Sequence, residues 1–204
     1  MKLNLIPALV AGLLATAPAF AADVVIDFDT PESHMSIGDY YNGDVLNYGV
    51  SFGLDALALQ NVDPDPFFSN NPSPVGVMAV TDVGSTMNFA AGFTAASFWY
   101  STTDFAVVSV YSGLDGTGTR LAAFALVDNA QTNGCSDAPY CNWSYAAVAF
   151  NGIAQSITFG DAVGAGIDNL TISAVPEPSE AVLLGLGLAG VLLRARRRDN
   201  KLAA

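Results

Sequence analysis

Between residues 22 and 174 no stretch repeats its apolar residues at helical spacing; short runs rich in Val, Ile, Phe and Tyr are cut repeatedly by Gly, Asn, Asp and Pro. A chain punctuated in this way buries apolar surface by pairing strands, because no run is long or periodic enough to give a helix one apolar face. The runs are 24–29, 48–54, 77–81, 95–101, 105–111, 121–127, 143–150, 153–159 and 167–173. Alternation in the eighth sets Ile153, Ile157 and Phe159 on one face and Ala154, Ser156 and Thr158 on the other. Ser-Gly-Leu-Asp-Gly-Thr-Gly at 112–118 reads as a turn between two strands, with Gly113, Gly116 and Gly118 free to supply positive φ. No helix follows it, which excludes a phosphate-binding loop. Residues 61–74, with four prolines and Phe67-Phe68, read as a long irregular loop. Eight or nine strands at this spacing predict an all-β fold, an antiparallel β-sandwich of jelly-roll-like form.

Both ends are of different composition. Lys2, the apolar run 5–14 and Ala19-Phe-Ala21 have the order of a secretory signal peptide, cut by signal peptidase after Ala21, with Ala17-Pro-Ala19 as a second possible cut. At the other end, Pro176-Glu177-Pro178 precedes thirteen uncharged residues, 181–193, and then Arg194, Arg196, Arg197 and Arg198. The prolines remove two backbone donors and hold the chain extended, so a strand ends there. An all-round apolar run of this length covers about 20 Å as a helix, a short span that snorkelling arginines extend. The arginines stay on the cytoplasmic side by the positive-inside rule, which places the body outside the inner membrane. The expected divisions are a signal peptide at 1–21, a body at 22–174, a tail signal at 175–198 and a cytoplasmic end at 199–204.

The body carries sixteen acidic residues against a single Lys or Arg, Arg120, within a chain of net charge −12. Such a surface repels nucleic acid and anionic lipid, and favours solubility and cations. Cys135 and Cys141 are the only cysteines and His34 the only histidine. No set of soft metal ligands exists, and in an exported chain the close cysteine pair, around a Pro-containing turn, is expected to staple a loop as a disulfide.

Pro-Glu-Pro, a short apolar span and an arginine cluster at the chain end resemble the PEP-CTERM sorting signal, a region also catalogued as the ice-binding protein C-terminal domain. The resemblance implies processing by an exosortase, a membrane-embedded cysteine transpeptidase of Gram-negative bacteria that make exopolysaccharide, followed by release or attachment at the cell surface. It implies neither an activity for the body nor ice binding. Asp27-Phe-Asp29, Ser97-Phe-Trp-Tyr100 and Gly166-Ile-Asp-Asn-Leu-Thr-Ile172 also resemble stretches of other exported PEP-CTERM proteins. The layout is similar as well to jelly-roll carbohydrate-binding modules, in which calcium often sits where the first and last strands meet.

Three kinds of chemistry are open to these residues. Asp168 shares a strand face with Leu170 and Ile172, so it points inward, where a lone carboxylate is costly unless a metal, a hydrogen-bond cluster or a turn of its own backbone satisfies it. Asp29 and Glu32 complete a candidate structural Ca2+ site, provided the chain bends at Asp29, because Asp27 and Asp29 otherwise face away from Val24, Ile26 and Phe28. For stacking on sugar rings the chain offers Trp99, Tyr100, Tyr111, Trp143 and Tyr145, with Tyr40 and Tyr41 in a loop; of the adjacent pair Trp99 and Tyr100, a regular strand turns one outward. For catalysis, no nucleophile-elbow pattern surrounds a serine, and no carboxylate pair is singled out among sixteen acids. The sequence therefore predicts a non-enzymatic surface or matrix protein that binds exopolysaccharide, with a matrix-acting glycosidase or lyase, or a purely structural protein, as alternatives.

Overall fold

The computed structural model describes residues 23–175 apart from 44–45, 63–65 and 136, and in the C-terminal tail only Gly187 and Gly190, both helical. The expected signal peptide with Ala19 and Ala21, the Pro176-Glu177-Pro178 motif and Arg194, Arg196, Arg197 and Arg198 lie outside the described residues. No helix among the described residues is long and apolar enough to cross a membrane. Ala21–Glu177 forms a compact unit of its own.

The unit is all-β. Its strands are β1 (Asp23–Ile26), β2 (Val50–Phe52), β3 (Ala56–Gln60), β4 (Gly76–Val80), β5 (Thr86–Ser101), β6 (Ala106–Tyr111), β7 (Arg120–Leu126), β8 (Ser144–Thr158) and β9 (Gly166–Ala174). The pairs are antiparallel, in the order β3-β4-β9-β5-β8-β6-β7, with β1 added to β9 and β2 to β5. Two long strands fold this sheet on itself. The first half of β5 pairs with β2 and the end of β8, and its second half pairs with β9 and the start of β8. The change of partners falls at bulges around Gly92 and Gly152, both at positive φ, where three extra residues bend each strand without breaking it.

The folded sheet encloses an aromatic core. Phe98 of β5 meets Phe124 of β7 at 4.7 Å between ring centroids, and Phe28 meets Phe52 of β2 at 5.7 Å. Each fully buried Phe contributes roughly 2–3 kcal/mol of transfer free energy, which is why these contacts hold the two layers face to face.

Five expectations change. The runs 143–150 and 153–159 are two halves of one strand, joined through Asn151-Gly152, which carries the bulge rather than a turn. The bulge shifts the alternation, so Ile153 is 52% exposed while Ala154, Ser156 and Ile157 are buried. Run 95–101 is the second half of a sixteen-residue strand, whose first half is masked by Ala90-Ala91-Gly92. Strand β3, Ala-Leu-Ala-Leu-Gln, has little intrinsic β propensity and exists because it pairs with β4 along its length. In the 112–118 turn, Gly116 and Gly118 take positive φ as expected, but the third such residue is Asp115, not Gly113. Asn88 holds Asp115 in place, accepting its N–H at 2.8 Å and donating to its carboxylate at 2.7 Å.

Cys135 and Cys141 form the expected disulfide, with Cα atoms 5.8 Å apart. The stapled loop is tied to the Pro-rich loop: Ser69 N–H donates to the Tyr140 carbonyl (2.9 Å) and Tyr140 N–H to that of Phe67 (3.1 Å). Trp143 joins the same seam, its indole N–H donating to the Ser69 carbonyl at 2.9 Å.

Candidate functional site

Strands β1, β9, β5 and β8 lie side by side, and register sets their outward side chains in rows. Asp23, Ser173, Ala95 and Ala149 form one row; Val25, Thr171, Ser97 and Ala147 form the next. Trp99 and Tyr145 close the set as a cross-strand pair, ring centroids 5.4 Å apart. Small side chains in the first two rows leave an open groove of about 680 Å³ that ends against the two rings, with Asn169 alongside. Tyr145 is 57% exposed. Since strands are spaced about 4.8 Å apart, the four-strand floor is roughly 14 Å wide.

The groove's polar groups are hydroxyls, the indole N–H of Trp99, one amide and one carboxylate. Ser173 donates its hydroxyl to Asp23 at 2.7 Å, which leaves the rest of that carboxylate and the Ser173 lone pairs as acceptors. An aromatic pair at the end of a shallow, hydroxyl-lined floor is suited to a flat amphipathic ring: apolar face on the indole, edge hydroxyls to the side chains. A second cavity, about 310 Å³ between Leu59, Phe67, Val163 and Tyr140, is walled almost entirely by apolar groups and gives a polar ligand little to bond.

The expected aromatic contacts divide. Trp99 faces the groove, and Tyr100, 6% exposed, faces the core, its hydroxyl accepting from the Val127 N–H at 3.2 Å. Tyr40 is exposed, its hydroxyl donating to the Thr30 carbonyl at 3.1 Å. Tyr41 is 1% exposed among Phe28, Tyr48 and Phe52, and burial pushes its phenol well above the usual range. Tyr41 and Tyr100 are therefore core residues, not ligand contacts. Their place is taken by Tyr145, which Trp99 meets only through strand pairing.

Asp168 is inward and fully buried, as its parity with Leu170 and Ile172 predicts. It lies where two strands succeed each other along one edge of β9: β4 ends opposite Ile167 and β1 begins opposite Leu170. Ser73, from the Pro-rich loop, fills that gap. Its N–H donates to Asp168 Oδ2 at 2.8 Å, and its hydroxyl lies 2.7 Å from Asp168 Oδ1. Asn169 N–H donates to the same Oδ1 at 2.6 Å. The chain does bend before Asp29: Phe28 takes φ +60°, and Asp29 Oδ1 accepts from the N–H groups of Val75 (3.0 Å) and Gly76 (2.7 Å). Burial pushes the Asp168 carboxyl up to about 6, against the pull of its bonds from Ser73 and Asn169.

This junction does not fit calcium. A Ca2+ ion takes six to eight oxygen ligands, whereas both oxygens of Asp168 and Oδ1 of Asp29 already accept from the N–H groups of Ser73, Asn169, Val75 and Gly76. Glu32, the third expected ligand, is exposed. Among the described residues no three His, Cys, Asp or Glu side chains gather where a metal could be held. Asp168 is instead clasped by Ser73, a residue that nothing in the sequence marks inside an irregular loop, while the Val75 and Gly76 N–H groups beside it hold Asp29.

No family model and no curated protein matches the sequence. Among solved structures, similarity extends to a family 6 carbohydrate-binding module, at 13% identity and a TM-score of 0.39 over 77% of this chain and 95% of that one. The C-terminal family 6 module of a laminarinase from Zobellia galactanivorans gives 14% and 0.40 over 74% and 99%. The catalytic domain of a GH87 alpha-1,3-glucanase in complex with nigerose gives 13% and 0.41 over 79% of this chain but 30% of that one. Likeness at this level concerns strand architecture alone.

Proposed function

We propose that this chain is an exported, non-enzymatic surface protein whose body has a jelly-roll-like fold and binds polysaccharide on the outer face of β1, β9, β5 and β8. The observation that carries the reading is the Trp99–Tyr145 pair at the end of the open groove, where outward aromatics have no core to serve. Among the described residues Asp23 is the sole carboxylate lining that groove. A glycosidase of the two-carboxylate kind needs a second acid within about 5–9.5 Å, which supports binding over hydrolysis. The signal peptide and the Pro176-Glu177-Pro178 tail, read by resemblance, supply the address: export across the inner membrane of a Gram-negative bacterium, anchoring by residues 181–193, and exosortase processing to the cell surface or matrix.

The test is a pull-down of the full-length chain with exopolysaccharide from its own host, beside a Trp99→Ala variant. Truncating a central aromatic anchor costs about 2 kcal/mol or more, so retention falls at least roughly 30-fold. Phe98 and Tyr100, which hold the strand to the core, are untouched, so the variant loses only the cross-strand ring pair and melts within a few degrees of the wild type. Equal retention by both proteins removes the groove as the binding face.

A further inference from the structure

The chemistry of the groove reaches further than ring stacking, because it says which glycans can enter. Recognition of a uronate, sulfate or pyruvate group requires a full positive charge or a nest of N–H donors at close range. Among the described residues the groove lining contains no Lys, Arg or His, and its donors are the neutral groups of Ser97, Thr171, Asn169, Trp99 and Tyr145. Its one ionisable contributor near the floor is the Asp23 carboxylate, already bonded by Ser173 on one oxygen and still an acceptor on the other. An acceptor of that kind takes sugar hydroxyls and rejects sugar carboxylates.

The field of the whole body has the same sign. Arg120 is the only Lys or Arg between residues 22 and 174, and it sits on β7, opposite Tyr111 at the far end of the strand order from β1 and β9. An α-amino group at Ala22, if the signal peptide is removed there, would offset Asp23 and no more. Fifteen further carboxylates remain in the body, and their repulsion of a polyanion extends over a Debye length, about 8 Å at physiological salt and longer in dilute buffer.

We infer that the groove selects uncharged polysaccharide and excludes anionic polymers of the same backbone. The inference rests on the glycan-binding reading above and adds to it the class of ligand. It carries a signature in salt: retention of a neutral glycan is independent of ionic strength, and discrimination against its anionic counterpart narrows as salt is added.

The experiment uses matched probes that differ only in charge. Native gels are cast with hydroxyethylcellulose or carboxymethylcellulose, with methyl-esterified or de-esterified homogalacturonan, and with a glucan before or after sulfation. The full-length chain and Trp99→Ala are run in each at about 20 mM and 300 mM salt, a range over which the Debye length falls several-fold. The expected result is retardation by at least one neutral polymer, lost in Trp99→Ala, and at least tenfold tighter than by its charged partner at low salt. Retardation by the charged member as strong or stronger, and lost in Trp99→Ala, overturns the selectivity and leaves the groove reading standing. Retardation by a charged member that weakens with salt overturns the selectivity as well. No Trp99-dependent retardation in any gel overturns both.

Discussion

Replacing Ser73 by alanine removes one hydroxyl from the point where β4 and β1 meet along β9. In the native protein that hydroxyl lies 2.7 Å from Asp168 Oδ1, 2.9 Å from the Asp27 carbonyl and 3.0 Å from Asp29 Oδ1, and its single proton serves the ionised Asp168 best, at the shortest of the three distances. Asp168 keeps the Ser73 and Asn169 N–H bonds in the variant, so one donor of three is lost. A hydrogen bond to an ionised group contributes about 1.5–3 kcal/mol and one to a neutral group about 1 kcal/mol. The size of the effect therefore depends on which form of Asp168 is present. Its carboxyl titrates near 6 in the folded protein, against an ordinary value of 3.8. The folded state thus binds the proton more tightly than the unfolded one, and this group's contribution to stability falls as pH rises from about 3.8 to about 6 and is level above. The span amounts to roughly 3 kcal/mol. Ser73→Ala takes away a donor that favours the charged form, which pushes the Asp168 carboxyl higher still and widens that window. We expect a loss of about 2 kcal/mol at pH 7.5 and about 1 kcal/mol at pH 5, read from urea melts of both proteins at each pH. An equal loss at the two pH values, or none, refutes the account of the clasp as a buried carboxylate held by Ser73.

Three further expectations follow from other parts of the fold. Thermal melts in excess Ca2+ and in chelator should superimpose, because the Asp29–Asp168 junction is satisfied by N–H donors; a rise of more than a few degrees with Ca2+ restores the metal site. Replacing Cys135 and Cys141 together by alanine should cost about 2 kcal/mol, the loop-closure value for so short a loop, and lower the melting temperature by about 4–8 °C. A mass of the native exported protein equal to its reduced form removes the bridge. Deleting residues 181–198 should send the body to the medium unprocessed, detected by immunoblot of cells and culture fluid; retention on the cell argues against the tail as anchor.

The three stretches likened to other exported proteins turn out to be neighbours. Ile26 pairs with Leu170 and Ser97 with Thr171, so 27–29, 97–100 and 166–172 converge on β9. That convergence is invisible in the sequence, where they are separated by most of the body. The inward turn of Asp168 was legible because period-two alternation is a local property of a strand. Ser73 was not, because nothing about a serine between prolines marks it as the partner of a carboxylate ninety-five residues away. Among the aromatics, alternation predicted that one of Trp99 and Tyr100 would face out, but which one depends on the layer behind them.

What the sequence determined by itself is what short-range chemistry controls: strands instead of helices, the turn residues, the nearby disulfide and the acidic charge. What only the tertiary structure decided is where those pieces meet. The bulges at Gly92 and Gly152 each shift register by three residues, and an odd shift exchanges which side chains reach the core and which reach solvent. The groove exists because pairing across four strands sets Trp99 beside Tyr145 and small residues before them, and such pairing is fixed by the packing of whole layers, which no local run of residues encodes.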